Sequence, residues 1–409
     1  MKIGHLAAGL WRSVHLDMAK ALACLGHDVQ VYTEDRRIPT IARFTRLDED
    51  GVAIWGIHDE RRNPWLWLPD RLGKPFLGGR RFFTTLFAIW CYLRRTRCDI
   101  YMVEGDGLGI FLALLSKVMK FRWVQCVHDH EHFGVLLGYP GEPSNPARTR
   151  LKLWMMRQAD AIRANSRVTR DVMVQAGLDP TAITVIPLHY TPRMCVEGDM
   201  AGFHRAARAD IRDRHGLPPD CPLVVALCRL TPFKGLDLAV RAFALARRKH
   251  PAARFVVCGG DRQVPGVGSY QALLEKLAAE LGIADAILFA GNIEPTEVKR
   301  YYAAADLHLV PSYIETFNYS AVESALTGTR TLMTDRIGSG PWLEEFGAAL
   351  VVAGREPADY AAAMIRALET PFGEEEALAV ARRTEAGLDV NTLAPQLAAL
   401  LARTAGTPS

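Results

Sequence analysis

The stretch Pro311-Ser312-Tyr313-Ile314-Glu315-Thr316-Phe317-Asn318-Tyr319-Ser320-Ala321-Val322-Glu323 decides the fold. An apolar run, Leu307 to Val310, precedes it, and a helical pattern leads away from it toward Gly328. The pattern is a strand, a loop and a helix turning one corner. In an open α/β sheet, ligands bind outside the carboxyl ends of the strands. A helix starting near Asn318 aims free N–H groups and its positive dipole end at that place, which suits a phosphate. Glu315 falls in the loop, toward the reacting end of a ligand, and Glu323 falls inside the helix, where a carboxylate accepts hydrogen bonds from sugar hydroxyls.

Outward from this corner, short apolar strands alternate with helical segments. Strands are predicted at residues 2–7, 28–32, 53–56, 99–103, 123–127, 161–164 and 183–186. A second series lies at 223–228, 254–258, 286–289, 307–310, 330–333 and 349–352. Helices are predicted at 13–25, 166–176, 207–215 and 391–402. Such alternation makes parallel sheets covered by helices on both faces, an α/β fold. The stretch 191–220, richer in Pro, Gly and charge, separates the two series. Two domains follow, 1–200 and 201–387, with a closing helix at about 388–404 expected to pack back on the first.

The 409 residues suffice for two ordinary domains, and 49% hydrophobic with 23% charged residues is the make-up of a globular protein. A net charge of +4 is too small to argue for nucleic acid. The eight cysteines are scattered with no C-x-x-C pair and are expected to be buried free thiols in a reducing compartment, hence a cytoplasmic protein. The N-terminal residues are expected to form a strand rather than a signal peptide. The longest apolar stretch, 82–93, is too short to span a bilayer.

Ala226-Leu227-Cys228-Arg229-Leu230-Thr231-Pro232-Phe233-Lys234-Gly235 ends a strand and places two cations in the following loop, suited to a diphosphate. Alone, the pair reads more readily as solvated surface charge, and Cys258-Gly259-Gly260-Asp261 alone is a tight turn. Their order and spacing, with Gly291-Asn292-Ile293 and the Pro311–Glu323 stretch, resemble the family 4 glycosyltransferases, retaining enzymes of sugar nucleotides. The resemblance implies a GT-B architecture, two Rossmann-like doubly wound domains facing a central cleft. It also implies a nucleotide-diphosphate sugar as donor, UDP- or GDP-linked, and no cofactor and no metal.

Position by position, the resemblance gives Arg229 and Lys234 the donor diphosphate and the leaving group. Glu315 takes the sugar hydroxyls, and Glu323 the ribose. Thr316, Phe317 and Asn318 approach sugar or phosphate, and Asn292 and Ile293 flank the base. Two departures stand out: Asn318 replaces the usual glycine, and Ser324 the usual alanine. In the N-terminal half, His128 matches a histidine that touches the donor sugar, and Gly9 is what remains of a Gly-Gly pair near the phosphates. Trp11, Asp129 and His130 are acceptor-side candidates.

Val127-His128-Asp129-His130-Glu131-His132 also fits a metal, since alternate residues of an extended segment share a face. No further ligand set lies at an evident spacing, so sugar contact is the favoured role. Residues 61–97 carry nine Arg or Lys against one acid, among many aromatics. They fit either a membrane-surface patch, at the inner face of a membrane, or a loop and core helix. The expected activity is transfer of a hexose to a saccharide or lipid-linked acceptor in envelope glycan or exopolysaccharide synthesis. A small metabolite is the alternative acceptor. A sugar-nucleotide epimerase, a metal hydrolase built on the histidines and a non-catalytic relative are the other classes.

Overall fold

The computed structural model describes residues 1–9, 14–34, 45–56, 82–128, 146–264 and 268–406. Of these, residues 1–128, 146–189 and 390–406 form one compact unit, and residues 190–389 form the other. The chain thus passes between units at His189/Tyr190 and at Asp389/Val390, against the expected 200 and 387. The crossing points are clipped together within the second unit. Tyr190 donates its backbone N–H to the Leu388 carbonyl (3.2 Å) and its hydroxyl to Asp389 (3.5 Å).

The N-terminal unit is built on strands β1 (Lys2–Ala7), β2 (Asp28–Thr33), β3 (Thr45–Glu49), β4 (Val52–Gly56), β5 (Ile100–Glu104), β6 (Trp123–Val127), β7 (Ala161–Ala164) and β8 (Ile183–Val185). Their order across the sheet is β3-β4-β2-β1-β5-β6-β7-β8. All neighbours are parallel except the edge strand β3, which pairs antiparallel with β4. Every residue of β5 and β6 is buried, which is why these strands read as apolar runs without alternation. The helix Val390–Ala405 belongs to this unit. Its Leu393, Leu397, Leu400 and Leu401, at helical spacing, pack with Ile3, Leu16, Leu22 and Ile100.

The C-terminal unit holds β9 (Leu223–Leu227), β10 (Arg254–Cys258), the short antiparallel pair β11 (Gln263–Val264) and β12 (Gly268–Ser269), β13 (Ile287–Gly291), β14 (Leu307–Val310), β15 (Thr331–Thr334) and β16 (Ala349–Val352). The main sheet runs β13-β10-β9-β14-β15-β16, all parallel. Relabelled from its own first strand this is 3-2-1-4-5-6, the doubly wound dinucleotide-binding order. Strand order reverses between β9 and β14, so the loops after those two strands flank the crevice where such sheets bind ligands.

The linker helix runs Met200–Arg214, a full two turns longer at its start than expected. Its first residues, Met200-Ala201-Gly202-Phe203, bring too little polar-apolar alternation to be seen in the sequence. All eight cysteines are free, but only Cys126, Cys221 and Cys258 are buried; Cys24 is exposed and the rest are half-buried. The expectation of uniformly buried thiols is therefore corrected. No described helix is long and apolar enough to cross a membrane.

Candidate active site

Two loops of the C-terminal unit meet at the reversal point. The first leaves β9 through Cys228-Arg229-Leu230 and a short helical turn, Pro232–Lys234, before Gly235 opens the helix Leu236–Arg247. Gly235 has φ +66°, and a β-carbon there would lie 2.2 Å from the Pro311 carbonyl oxygen. Only glycine allows the two loops to approach this closely. The second loop leaves β14 through Pro311–Phe317, and its Tyr313 N–H donates to the Phe233 carbonyl (3.0 Å).

Lys234 Nζ and Glu315 Oε1 form an ion pair across these loops, with side chains only 13% and 11% exposed. Ser312 Oγ donates to the same carboxylate oxygen at 2.9 Å. Backbone bonds hold Glu315 in place: its N–H donates to Arg336 O (3.0 Å), and its carbonyl accepts from Gly338 N (2.9 Å). Arg229 is exposed and makes no ion pair among the described residues. The loop therefore offers one half-buried ammonium, already set against a carboxylate, and one guanidinium open to solvent.

Asn318 caps the helix Tyr319–Leu326, its Oδ1 accepting from Ala321 N at 2.9 Å. Its φ is +78°, in the left-handed region where glycine is favoured. Glu323 lies one turn into that helix. Burial pushes its carboxyl up, while the Arg193 charge and a hydrogen bond with Tyr302 pull the other way. Beside the β9 loop, Gly259 has φ +141° and donates its N–H to Gly291 O (2.7 Å). A β-carbon on Gly259 would sit 1.7 Å from Cys228 O, and one on Gly260 would meet Asn292 Oδ1 at 2.8 Å. The turn after β10 is thus folded flat against the loops carrying Arg229 and Asn292.

In the N-terminal unit the corresponding reversal falls between β1 and β5, and a buried polar cluster occupies it. Glu104, the last residue of β5, has a side chain 2% exposed. His5 Nε2 of β1 lies 3.1 Å from its Oε1, and His15 Nδ1 lies 3.8 Å from the same oxygen. His128, one residue past β6, contacts Oε2 through Nε2. Arg163 reaches to 4.0 Å of Oε1 while bonded to the Ile186 and Pro187 carbonyls. Burial works to raise the Glu104 carboxyl. The His128 and His15 imidazoles, with hydrogen bonds from His128 and His5, outweigh it and hold the group well below the usual range. Burial also drives His15 down to about 3, against the pull of Glu104.

A family model described as "Glycosyl transferase 4-like domain" matches residues 8–189, and one described as "Glycosyl transferases group 1" matches residues 207–385. A protein named D-inositol 3-phosphate glycosyltransferase, from Thermomonospora curvata, is 32% identical over 388 residues, covering 90% of this chain and 84% of that one. This chain belongs to the family 4 glycosyltransferases of the GT-B fold. A protein of the same name from Acidothermus cellulolyticus is 34% identical over 52% of this chain and 48% of its own length. The chain thus spans about half the length of that relative. Among solved structures, the sucrose-phosphate synthase of Thermosynechococcus elongatus has a TM-score of 0.69 at 18% identity, over 98% of both chains. Anabaena HepE in complex with UDP-glucose has a TM-score of 0.64 at 17% identity, over 98% of this chain and 100% of that one. Both likenesses are of fold, two Rossmann-like domains.

In this family member, Lys234, Glu315 and Ser312 come together, as do Asn292 and Gly260, while Thr316, Phe317 and Asn318 line the start of the helix that carries Glu323. Phe317 is buried, and its carbonyl accepts from Ser339 N (2.8 Å), so its backbone is fixed. Ile293 is half-buried and packs with the core under β10. Gly9 is exposed at the end of β1. Trp11, Asp129 and His130, and residues 61–81 of the basic aromatic segment, lie outside the described residues. The helix Phe82–Thr96 from that segment buries Ala88, Ile89, Tyr92 and Leu93 in the unit and leaves Phe83, Phe87 and Trp90 exposed. The linear order gave no sign of His5, His15, Glu104 and Arg163. A single histidine in an apolar strand reads as a satisfied core residue.

Proposed function

We propose that this chain is a retaining hexosyltransferase that takes a sugar from a nucleotide-diphosphate donor. The observation that supports this most is the Lys234–Glu315 pair at the carboxyl ends of β9 and β14. It sets a cation for the diphosphate beside a carboxylate for the sugar hydroxyls. A departing diphosphate is stabilised by charge placed in advance. Lys234, Arg229 and the first N–H groups of the helix after Asn318 supply it without a bridging divalent cation. Glu323 accepts from the ribose hydroxyls, and Asn292 and Ile293 flank the base.

In the transfer step, the bond between the anomeric carbon and the β-phosphate oxygen breaks. The acceptor oxygen bonds the same face of the sugar, and its proton passes to the departing phosphate oxygen. No side-chain base is required, and Glu315 orients the sugar without bonding to it. The names of the curated relatives favour a small polyol phosphate as acceptor over the saccharide or lipid-linked acceptor expected from the sequence. Such an acceptor needs no membrane contact. Eight free thiols are in keeping with a reducing, cytoplasmic setting.

The test is product analysis with UDP-, GDP- and ADP-sugars and inositol phosphate, with and without Mg²⁺ or Mn²⁺. The expected result is nucleoside diphosphate released with a product of unchanged anomeric configuration, at a donor KM indifferent to the added cations. An inverted product would exclude the retaining step, and a donor KM that needs the cation would exclude the metal-free diphosphate site. An epimerised sugar formed with no acceptor present would favour the epimerase.

A further inference from the structure

We propose that the N-terminal unit carries a binding site for a divalent transition metal, with His5, His15 and Glu104 as its protein ligands. The sequence offered three alternating histidines, 128, 130 and 132, without partners for a complete site. The fold supplies a ligand set from other elements. Parallel pairing puts Glu104 level with Ala7 of β1 and Cys126 of β6. This brings His5 in from β1 and His128 in from the end of β6, and His15 enters from the first turn of the helix His15–Cys24.

The spacing suits an ion. One ring nitrogen of His5, one of His15 and a Glu104 oxygen all lie within 4.8 Å of one another. Bonds of about 2.0–2.1 Å to imidazole and carboxylate, in tetrahedral or octahedral arrangement, separate neighbouring ligand atoms by about 2.9–3.4 Å. The His5–Glu104 separation of 3.1 Å falls within that range, and the His15–Glu104 separation of 3.8 Å is within a few tenths of it.

The chemistry selects the class of ion. Two imidazole nitrogens and one carboxylate oxygen form a borderline donor set, fit for Zn²⁺, Co²⁺, Ni²⁺ or Fe²⁺ and poor for Mg²⁺ or Ca²⁺. Three protein ligands leave positions open to water or a substrate oxygen. The outer contacts are present too: His128 holds the second carboxylate oxygen, as hydrogen-bonded partners do for ligating carboxylates. His5 is fully buried, and its Nδ1 has no hydrogen-bond partner among the described residues. Coordination at Nε2 would put the ring proton on Nδ1 without the acceptor that a ligating histidine ordinarily has, which lowers the expected affinity. Arg163, 4.0 Å from Glu104 Oε1, shares the carboxylate's charge, so the affinity should fall below that of a four-thiolate site.

These ligands lie in the other unit from the proposed donor loops, so the inference stands or falls apart from the reading of Lys234 and Glu315. The experiment is a Co²⁺ and Zn²⁺ titration of the full chain after exhaustive chelation, by visible absorption and calorimetry, on wild type, His15→Ala and Glu104→Gln. The expected result is one equivalent bound, with a Co²⁺ d–d band, no competition from Mg²⁺, and affinity lowered at least about tenfold in each variant. His15 is partly exposed, so His15→Ala decides the matter should Glu104→Gln fail to fold. Absence of stoichiometric binding by the wild type overturns the proposal. So does binding that both variants leave unchanged, since the ion would then sit elsewhere.

Discussion

Lys234 and Glu315 are 81 residues apart in the chain and ion-paired in the fold, each from the loop that leaves one of two adjacent parallel strands. Both are nearly buried, so neither charge is cheaply left alone. Removing one member of such a pair typically costs about 3–5 kcal/mol, because the other remains desolvated. Lys234→Ala should therefore unfold at lower denaturant, with a loss of about 3 kcal/mol, near the low end of that range because Ser312 still donates to Glu315. Lys234→Ala/Glu315→Gln should regain part of that loss while staying inactive. A double-mutant cycle by urea unfolding checks this; losses that simply add would show that the pair is not coupled.

Glu323 gives a pH dependence of known sign. Burial raises its pKa above the ordinary 4.5, so in the free protein ionisation works against stability as pH rises through the raised value. In the proposed role of Glu323, nucleotide binding has the opposite sign, because only the carboxylate can accept from both ribose hydroxyls. Donor affinity should thus weaken as pH falls through the raised value, while acids of ordinary pKa are still ionised. Glu323→Gln should bind more weakly at neutral pH and lose this dependence. Calorimetric Kd values for the nucleoside diphosphate across mildly acidic pH provide the check.

Asn318 performs two opposed tasks. Its side chain caps the helix, worth about 1 kcal/mol, while its backbone sits at φ +78°, where a side chain costs about 1–2 kcal/mol. Asn318→Gly should be nearly neutral for stability, since loss of the cap offsets relief of strain. Asn318→Ala loses the cap and keeps the strain, so its Tm should fall by several degrees. Melting curves of the two variants side by side make the comparison.

His308 should set part of the acid limit of the C-terminal unit. It is fully buried in β14, hydrogen-bonded to Thr331 Oγ1 at 3.2 Å, and desolvation lowers its pKa to about 3. The neutral form is the folded form. Its contribution is fully present above the unfolded pKa of 6.5 and is lost as pH falls toward 3, at up to about 1.4 kcal/mol per pH unit. Between pH 6.5 and 5, before most carboxylates titrate, His308→Asn should flatten the fall in stability seen in the wild type. Unfolding free energies at several pH values in that window would show it.

Much of the proposed donor side was legible because its determinants are local. β14 is apolar apart from His308, Asn318 stands three residues before Ala321 as a cap should, and the Arg229–Lys234 loop follows its strand directly. Short polar elements were not legible. β3 reads Thr-Arg-Leu-Asp-Glu and holds its place only as an antiparallel edge on β4. β11 and β12 have two residues each and no pattern to detect. The Glu104 cluster was hidden for a different reason. Residues 5, 15, 104 and 128 share no spacing, and only the strand order β1-β5-β6 makes them neighbours. Cys24 departs from the buried-thiol expectation because it lies on the outer side of its helix, where its neighbours Leu22 and Ala21 take the core.

The central claim is that Arg229 and Lys234 stabilise a departing nucleoside diphosphate. Its most direct measurement is the single-turnover rate of nucleoside diphosphate release from the preferred nucleotide sugar, for wild type and for Arg229→Ala/Lys234→Ala, with folding confirmed for both. Loss of two positioned charges from the leaving side should lower that rate by at least about 10³-fold. A double variant that is folded and releases the diphosphate at the wild-type rate would contradict the account.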